Sequence, residues 1–421
     1  MSATLLSMLN GGRVSLIDCG NILDGGGIGT VGVSGDQRKV TLGMTPVTTV
    51  SSSAALAADD DAAVSSSEIG SSPADASSYS LLGVPTKCNQ TASNSDADFN
   101  KKKPIFSFGV VTDVQYADIE DGRSFSGVPR YYRHSLTALG RAIQNWNELG
   151  YLSFAVHFGD IVDGFCPRKE SSAAVDKVVR TFNRFRSGPV YHMIGNHCLY
   201  NLPRASLNEI LQIPTAPDCR SYYSFTPCKG FRFVVLDGYD ISLLGWPEDH
   251  PHAVEAALVL DKGNPNENKN SPEGLRGLER RFVKFGGGIS TTQLEWLDNI
   301  LKEAEAEEEK VIIGCHLPMD PRSTDPICLL WNYDEVLRVL HNHSCVVATF
   351  AGHAHTGGYA VDKHGIHHRV LEAVLECPPG SDAYGHVDVF EDRLVLTGTG
   401  ALVSSVMHFT GQQKATMRDE S

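Results

Sequence analysis

Beyond Pro104 the chain alternates short apolar runs, rich in β-branched and aromatic residues, with longer stretches whose apolar positions recur at helical spacing. That alternation predicts an α/β domain. The apolar runs place strands at Ile105 to Val111, Leu152 to Phe158, Val190 to Ile194, Phe231 to Leu236, Val311 to Gly314 and Val346 to Ala351. Helical spacing covers Tyr131 to Leu149, Ala173 to Phe185, Thr291 to Glu309 and Tyr333 to His341, and the remainder reads mostly as strand to about Gly400. Residues 246–288 are long, partly helical and punctuated by Pro, Gly and Asn, the texture of a surface insertion, where function often collects.

Residues 1–103 follow no such pattern. They are rich in Ser, Ala, Gly and Asp, with Tyr79 and Phe99 as the aromatics, and cannot bury enough apolar area to offset the entropy of ordering. A disordered extension is expected there, a folded domain over 104–402 and a tail over 403–421. Acids such as Asp59, Asp60 and Asp61 count against a transit peptide, which is normally acid-poor. The net charge of −14 disfavours nonspecific attraction to nucleic acid or to an anionic membrane surface. An acidic protein that handles an anionic substrate usually needs bound cations. The 10 cysteines are scattered without close pairs, which reads as reduced thiols. No stretch approaches the ~18 consecutive apolar residues of a membrane span. The expectation is a cytoplasmic monomer with neither nucleic-acid nor membrane partners.

Candidate chemistry lies where the strands end. Val110-Val111-Thr112-Asp113-Val114-Gln115 sets a carboxylate and an amide with one residue between them, so both can turn to one point once the pleat breaks. Phe158-Gly159-Asp160-Ile161-Val162-Asp163 repeats the device, with Gly159 permitting a sharp exit. Ile194-Gly195-Asn196-His197 is a third instance, Gly314-Cys315-His316 a fourth and Ala351-Gly352-His353-Ala354-His355 a fifth. One Asp after a strand is ordinarily a turn residue or helix cap, and one His is ordinarily a packed or surface side chain. Five such endings in order, each after an apolar strand, are hard to credit to turn chemistry. Open α/β sheets bind ligands at the carboxyl ends of their strands, so all five are expected to converge on one rim.

This series resembles the calcineurin-like metallophosphoesterase superfamily. The resemblance implies an α/β (α+β) four-layer sandwich, two mixed β-sheets flanked by helices. Most members carry Asp-x-His in the first motif, whereas this chain has Asp113-Val114-Gln115, which is similar to the manganese-dependent ADP-ribose/CDP-alcohol diphosphatases. Tyr116-Ala117-Asp118, Arg130 to Leu136, Gly195 to Asn201, His316-Leu317-Pro318 and Trp331-Asn332-Tyr333 carry the same likeness, which runs from about Pro104 to Gly400. It implies one metal on Asp113, Gln115, Asp160 and His355, and a second on Asp160, Asn196, His316 and His353, with Asp160 as the bridge. Carboxylates, amide oxygens and imidazoles without a thiolate suit hard or borderline divalent ions. Two Mn²⁺ ions are expected, with Mg²⁺ next and Zn²⁺ or Fe behind.

Two cations that share a water lower its pKa and neutralise the oxygens of a bound phosphoryl group, so no protein nucleophile is required. His197, beside Asn196, is the expected catalytic residue, placed to donate a proton or stabilise charge at the leaving oxygen. Many superfamily members follow this His with an acid; here Cys198 follows, so its orientation must come from elsewhere. Asp163 is the candidate support, with a helix N-cap as its alternative reading. The resemblance points to nucleoside diphosphate conjugates such as ADP-ribose and CDP-choline as substrates. A base needs an aromatic or apolar wall, which Phe125 and the Cys328 to Trp331 segment are placed to supply. Arg130 and Arg133 are candidates to meet phosphate. For these positions loop packing or a solvated helix start is the alternative. His157, inside a strand, reads as a core residue with its hydrogen bonds satisfied, and Cys315, Cys328 and Cys377 as inert buried thiols. A phosphoprotein or nucleic-acid phosphatase on the same core would want an open cleft, whereas residues 246–288 look suited to walling a small pocket. A noncatalytic scaffold would lack several ligands or His197, and every donor is present.

Overall fold

A computed structural model describes residues 103–214 and 220–409, so the extension expected through residue 103 lies almost wholly outside the described residues. The chain opens with β1 (Phe106–Val111), a small ribbon of β2 (Gly122–Arg123) and β3 (Pro129–Arg130), and α1 (Tyr132–Leu149). β4 (Phe154–His157), α2 (Ser171–Phe182), β5 (Val190–His192), α3 (Asn196–Asn201) and α4 (Arg204–Ile210) follow. Then come β6 (Tyr223–Cys228), β7 (Phe231–Leu236), α5 (Pro251–Gly263), α6 (Thr291–Ala306), β8 (Lys310–Cys315) and α7 (Tyr333–His341). The last strands are β9 (Val346–Ala351), β10 (Thr356–Val361), β11 (His367–Glu372), β12 (Ala383–Val389), β13 (Arg393–Gly400) and β14 (Ser405–His408).

Two six-stranded sheets carry the architecture, ordered β14-β13-β12-β1-β4-β5 and β10-β11-β9-β8-β7-β6. Both are mixed: β1, β4 and β5 run parallel in the first, and β7, β8, β9 and β11 in the second, with antiparallel strands outside them. The sheets meet through aromatic side chains that their apolar runs supply. Phe108 packs edge-on against Phe233 and Phe350, and Phe154 against Phe225 and Phe233. Helices cover the outer faces. α1 buries Ala138, Leu139, Ala142, Ile143 and Trp146, the i, i+3, i+4 stripe of an amphipathic helix. Trp146 fills the space that Gly109 of β1 leaves, since a Cβ there would stand 2.7 Å from the indole. Gly150, in the left-handed region at φ 68°, ends the helix with its N–H on the Trp146 carbonyl. No helix among the described residues is long and apolar enough to cross a membrane.

Several expected boundaries move. The tail expected from residue 403 gives up its first part to β14, which pairs with β13 through Leu394↔Met407. Met407 alone in that strand is fully buried, too short an alternation to read as a strand in the sequence. The helix expected over Ala173 to Phe185 runs from Ser171 to Phe182, and the buried Phe185 belongs to the turn that follows. The stretch over 246–288 contains α5 and closes at its neck, where Ile241 and Gly288 exchange two backbone hydrogen bonds of 2.8 Å.

Candidate metal centre

The parallel strands β1, β4 and β5 of one sheet and β8 and β9 of the other end at a common edge, and their exit loops meet there. Pairing between the β1 and β4 extensions runs through Asp113 N–H to the Gly159 carbonyl and Gln115 N–H to the Asp160 carbonyl, then on to a parallel bridge at Tyr116 and Val162. Between these points the backbone folds back. Asp113 (φ 50°), Gln115 (φ 41°), Asp160 (φ 57°) and His353 (φ 66°) are four of the six non-glycine residues with positive φ among the described residues. Asp and His tolerate this region better than most residues, yet each such residue costs roughly 1–3 kcal/mol. Strain concentrated at one point of the fold serves to aim side chains that a regular strand would send to opposite faces.

Glycines make the approach possible. A Cβ on Gly159, itself at φ 101°, would stand 2.3 Å from His316 Nδ1, and one on Gly195 2.1 Å from Asp160 Oδ1. The side chains therefore gather closely. His316 Nε2 lies 3.3 Å from Asp160 Oδ2, and His355 Nε2 3.3 Å from Asp113 Oδ1. The amide nitrogen of Gln115 lies 3.2 Å from Asp113 Oδ1, 3.4 Å from Asp160 Oδ2 and 2.9 Å from His355 Nε2. Asp160, His316 and His353 each offer a donor atom within 4.8 Å of the others. Asn196 joins them through its neighbours: Gly195 presses on Asp160, and the His197 N–H donates to Asp160 Oδ1 at 2.9 Å. All seven residues expected from the sequence are thus brought together.

Their atoms are poised for an ion. Gln115 Oε1, His316 Nε2 and His353 Nε2 are buried polar atoms without a hydrogen-bond partner, a costly arrangement unless something else satisfies them. Although His316 Nε2 is near Asp160, it is not aligned for a hydrogen bond; its Nδ1–H instead donates to the Phe158 carbonyl at 2.7 Å. Burial alone would raise the Asp113 carboxyl, but its hydrogen bond to His355 and the charges of His355 and His316 outweigh that and hold it well below the usual carboxylate range. For His355, burial is outweighed by Asp113 and Glu376, and the imidazole is pushed up to about 10. His316 is also raised, by Asp160 and Asp113 against its burial, whereas burial dominates at His353 and pushes it down to about 3. Two buried carboxylates are drawing positive charge onto their neighbours, the electrostatics of a cation-seeking pocket.

His197 stands beside this cluster with a side-chain exposure of 16%. Its Nδ1 accepts the Gly164 N–H at 2.9 Å, which leaves the ring's proton on Nε2. Asp163 Oδ2 lies 3.4 Å from that Nδ1 and 3.4 Å from Arg130 Nη1, while Oδ1 accepts the Phe165 N–H at 2.8 Å. Asp163 is therefore a neighbour of His197 and a turn-former at once. Arg130 is turned toward Asp163, and Arg133 pairs with the exposed Asp118 at 2.7 Å. Phe125 is fully exposed in the loop of the β2–β3 ribbon, and Cys328 packs against the apolar group of Ala351, Ala354 and Val370 behind the His353 loop.

Two expectations fail. Trp331 forms no wall of the site: it is buried with Ile241, Ala256 and Leu260, the apolar centre of the 241–288 segment, and cannot stack on a ligand. His157 is buried as expected but unsatisfied, with neither ring nitrogen hydrogen-bonded, because Phe182 and His192 enclose it. Cys315 and Cys377 are buried as expected, whereas Cys328 is only partly buried; desolvation still pushes the thiols of Cys315 and Cys328 up to about 12. Sequence reasoning missed three contributors. Glu376 accepts from His355 Nδ1 at 2.7 Å, Phe285 sets its ring 6.0 Å from that of His353, and the Tyr239 hydroxyl donates to Asn196 Oδ1 at 3.1 Å. Glu376 and Phe285 carry no local signal. Tyr239 does, since Leu236-Asp237-Gly238-Tyr239 is a sixth polar strand end, this one with a glycine.

Two packed mixed sheets with a buried carboxylate–imidazole–amide cluster at their shared edge define a metal-dependent phosphoesterase scaffold. The model of the calcineurin-like phosphoesterases matches residues 106–357. A manganese-dependent ADP-ribose/CDP-alcohol diphosphatase of Oryza sativa subsp. japonica is 54% identical over 310 residues, 74% of this chain and 96% of its own. Its namesake in Homo sapiens is 40% identical over 332 residues, 75% and 96% of the two chains. A crystal structure of a dimetal phosphatase from Danio rerio superposes with a TM-score of 0.70 at 40% identity, covering 73% of this chain and 100% of that one. The chain belongs to the calcineurin-like phosphoesterases and, among them, to the family of the manganese-dependent ADP-ribose/CDP-alcohol diphosphatases.

Proposed function

We propose that the protein hydrolyses the pyrophosphate of nucleoside diphosphate conjugates at two divalent cations, manganese before magnesium. ADP-ribose would yield AMP and ribose 5-phosphate, and CDP-choline or CDP-glycerol would yield CMP and the phosphoalcohol. One observation carries the reading: two buried imidazoles, His316 and His353, each with an orphaned Nε2, offer ligand atoms within 4.8 Å of one from Asp160 in a member of this family. Asp113, Gln115, Asp160 and His355 would hold one cation, and Asp160, Asn196, His316 and His353 the other. Rotating the Gln115 amide end for end brings its oxygen to the position between Asp113 and Asp160 that its nitrogen occupies. When bound, the cations supply water activation and neutralise phosphoryl charge.

The protein's own groups do the rest. The Phe158 carbonyl and Glu376 each take the Nδ1 side of an imidazole, fixing His316 and His355 with Nε2 toward the centre. The Gly164 N–H does the reverse for His197, so that its Nε2–H is the group offered to the oxygen leaving phosphorus. Phe285, against His353, and the exposed Phe125 are the aromatic surfaces proposed to receive the base. Seven free cysteines among the described residues support a reducing compartment, the cytoplasm.

Initial rates with ADP-ribose, CDP-choline, p-nitrophenyl phosphate and a phosphopeptide test the substrate class. The conjugates should lead by about 100-fold or more in kcat/KM; a phosphopeptide at the head of the order would refute the reading. In the same assay Mn²⁺ should restore chelated protein far better than Zn²⁺, because glutamine in place of an imidazole moves the first position toward oxygen ligation. The reverse order of restoration would count against the ligand set.

A further inference from the structure

The two ends of a carboxamide have nearly the same shape, yet one donates hydrogen bonds and the other can face a cation. Which end Asn196 presents has to be fixed by its surroundings. Its Oδ1 accepts the Tyr239 hydroxyl at 3.1 Å. An oxygen has two lone pairs, so the one that accepts from Tyr239 can still face an ion.

Tyr239 is itself held with unusual thoroughness. It is fully buried just past β7, with its ring 6.0 Å from that of His316. Its N–H donates to Asp237 Oδ1 at 3.0 Å, and its carbonyl accepts from Arg204 Nη2 at 2.8 Å. Arg204 and Asp237 pair with each other, both nearly inaccessible, and the guanidinium lies 4.4 Å over the Trp246 ring. Gln293 clasps the backbone of Asp237 from the other side, accepting its N–H at 2.9 Å and donating to its carbonyl at 3.1 Å. A buried ion pair is poor evidence for stability, because desolvation offsets its attraction. This pair does, however, fix the position of a single phenol.

We infer that Tyr239 is a positioning residue that holds the Asn196 carboxamide through Oδ1, with that oxygen toward the cation shared with His316 and His353, and that the Arg204–Asp237 pair holds Tyr239 in register. The inference rests on the two-cation reading above. It makes no claim that Tyr239 touches substrate.

Calorimetric titration of Mn²⁺ into chelator-stripped, full-length protein tests it, with wild type, Tyr239→Phe, Asn196→Asp and the double variant. Tyr239→Phe keeps the ring and removes one oxygen, so its melting temperature serves as the check on folding. Wild type should take two ions, and Tyr239→Phe should bind the second about 10- to 100-fold more weakly, the usual cost of losing a group that orients a ligand. In Asn196→Asp both ends of the side chain are oxygen, so adding Tyr239→Phe should change nothing further. Tyr239→Phe titrating as wild type, or the same loss on the Asn196→Asp background, overturns the inference. Wild type failing to take two ions at all overturns the two-cation reading instead.

Discussion

Replacing Asp160 by Ala is expected to lower turnover by about 10⁴-fold or more, roughly 5.5 kcal/mol of barrier, and to reduce bound metal below one ion per chain. Asp160 stands where the two halves of the site meet. Its Oδ1 takes the His197 N–H from the β5 side, while its Oδ2 faces His316 Nε2 from the second sheet and the Gln115 amide from β1. The surrounding imidazoles hold the carboxyl below its ordinary value against the burial that would raise it, so it is the anion on which both proposed cations would lean. Alanine also has to adopt φ 57°, which confounds a stability effect with a chemical one. Asp160→Asn separates them, since asparagine tolerates that backbone and keeps the shape while losing the charge. Both variants should fail together in a rate assay paired with elemental analysis. An Asn variant holding two ions and turning over within about 10-fold of wild type would remove Asp160 from the bridging position.

The sequence carried the five converging strand ends because each is a local signature: an apolar run, a glycine or tight exit, and a donor. What it could not show is how the donors are turned inward. The left-handed backbone at Asp113, Gln115, Asp160 and His353 is imposed by pairing between the β1 and β4 extensions and by the glycines pressed against Asp160 and His316, all contacts between distant segments. The same limit explains Trp331. An aromatic shortly after His316 is well placed in sequence to wall a pocket, but the segment that branches off after Ile241 has an apolar centre of its own, and the indole completes it. Glu376 reaches His355 from a loop whose sequence has no periodicity to mark it. Tyr239 was legible by the rule that found the others, but Asp237 beside it points away from the centre, into a pair with Arg204.

His197→Ala should slow turnover by about 10²–10⁴-fold, the range for loss of a positioned proton donor, and leave the metal content unchanged. The separation follows from how the residue is attached. What binds position 197 to the cluster is its backbone N–H on Asp160 Oδ1, which any residue except proline supplies, whereas the imidazole is held by its Nδ1, which takes the Gly164 N–H beside Asp163. Removing the ring therefore deletes the Nε2–H and spares the carboxylate. Asp163→Asn is the companion variant. The Gly164 N–H already fixes the tautomer, so the neighbouring charge should matter less than the ring, and this variant should lose less activity than His197→Ala. Loss of metal from the His197→Ala protein would place the imidazole among the ligands, and undiminished kcat would leave proton delivery at the leaving oxygen to some other group.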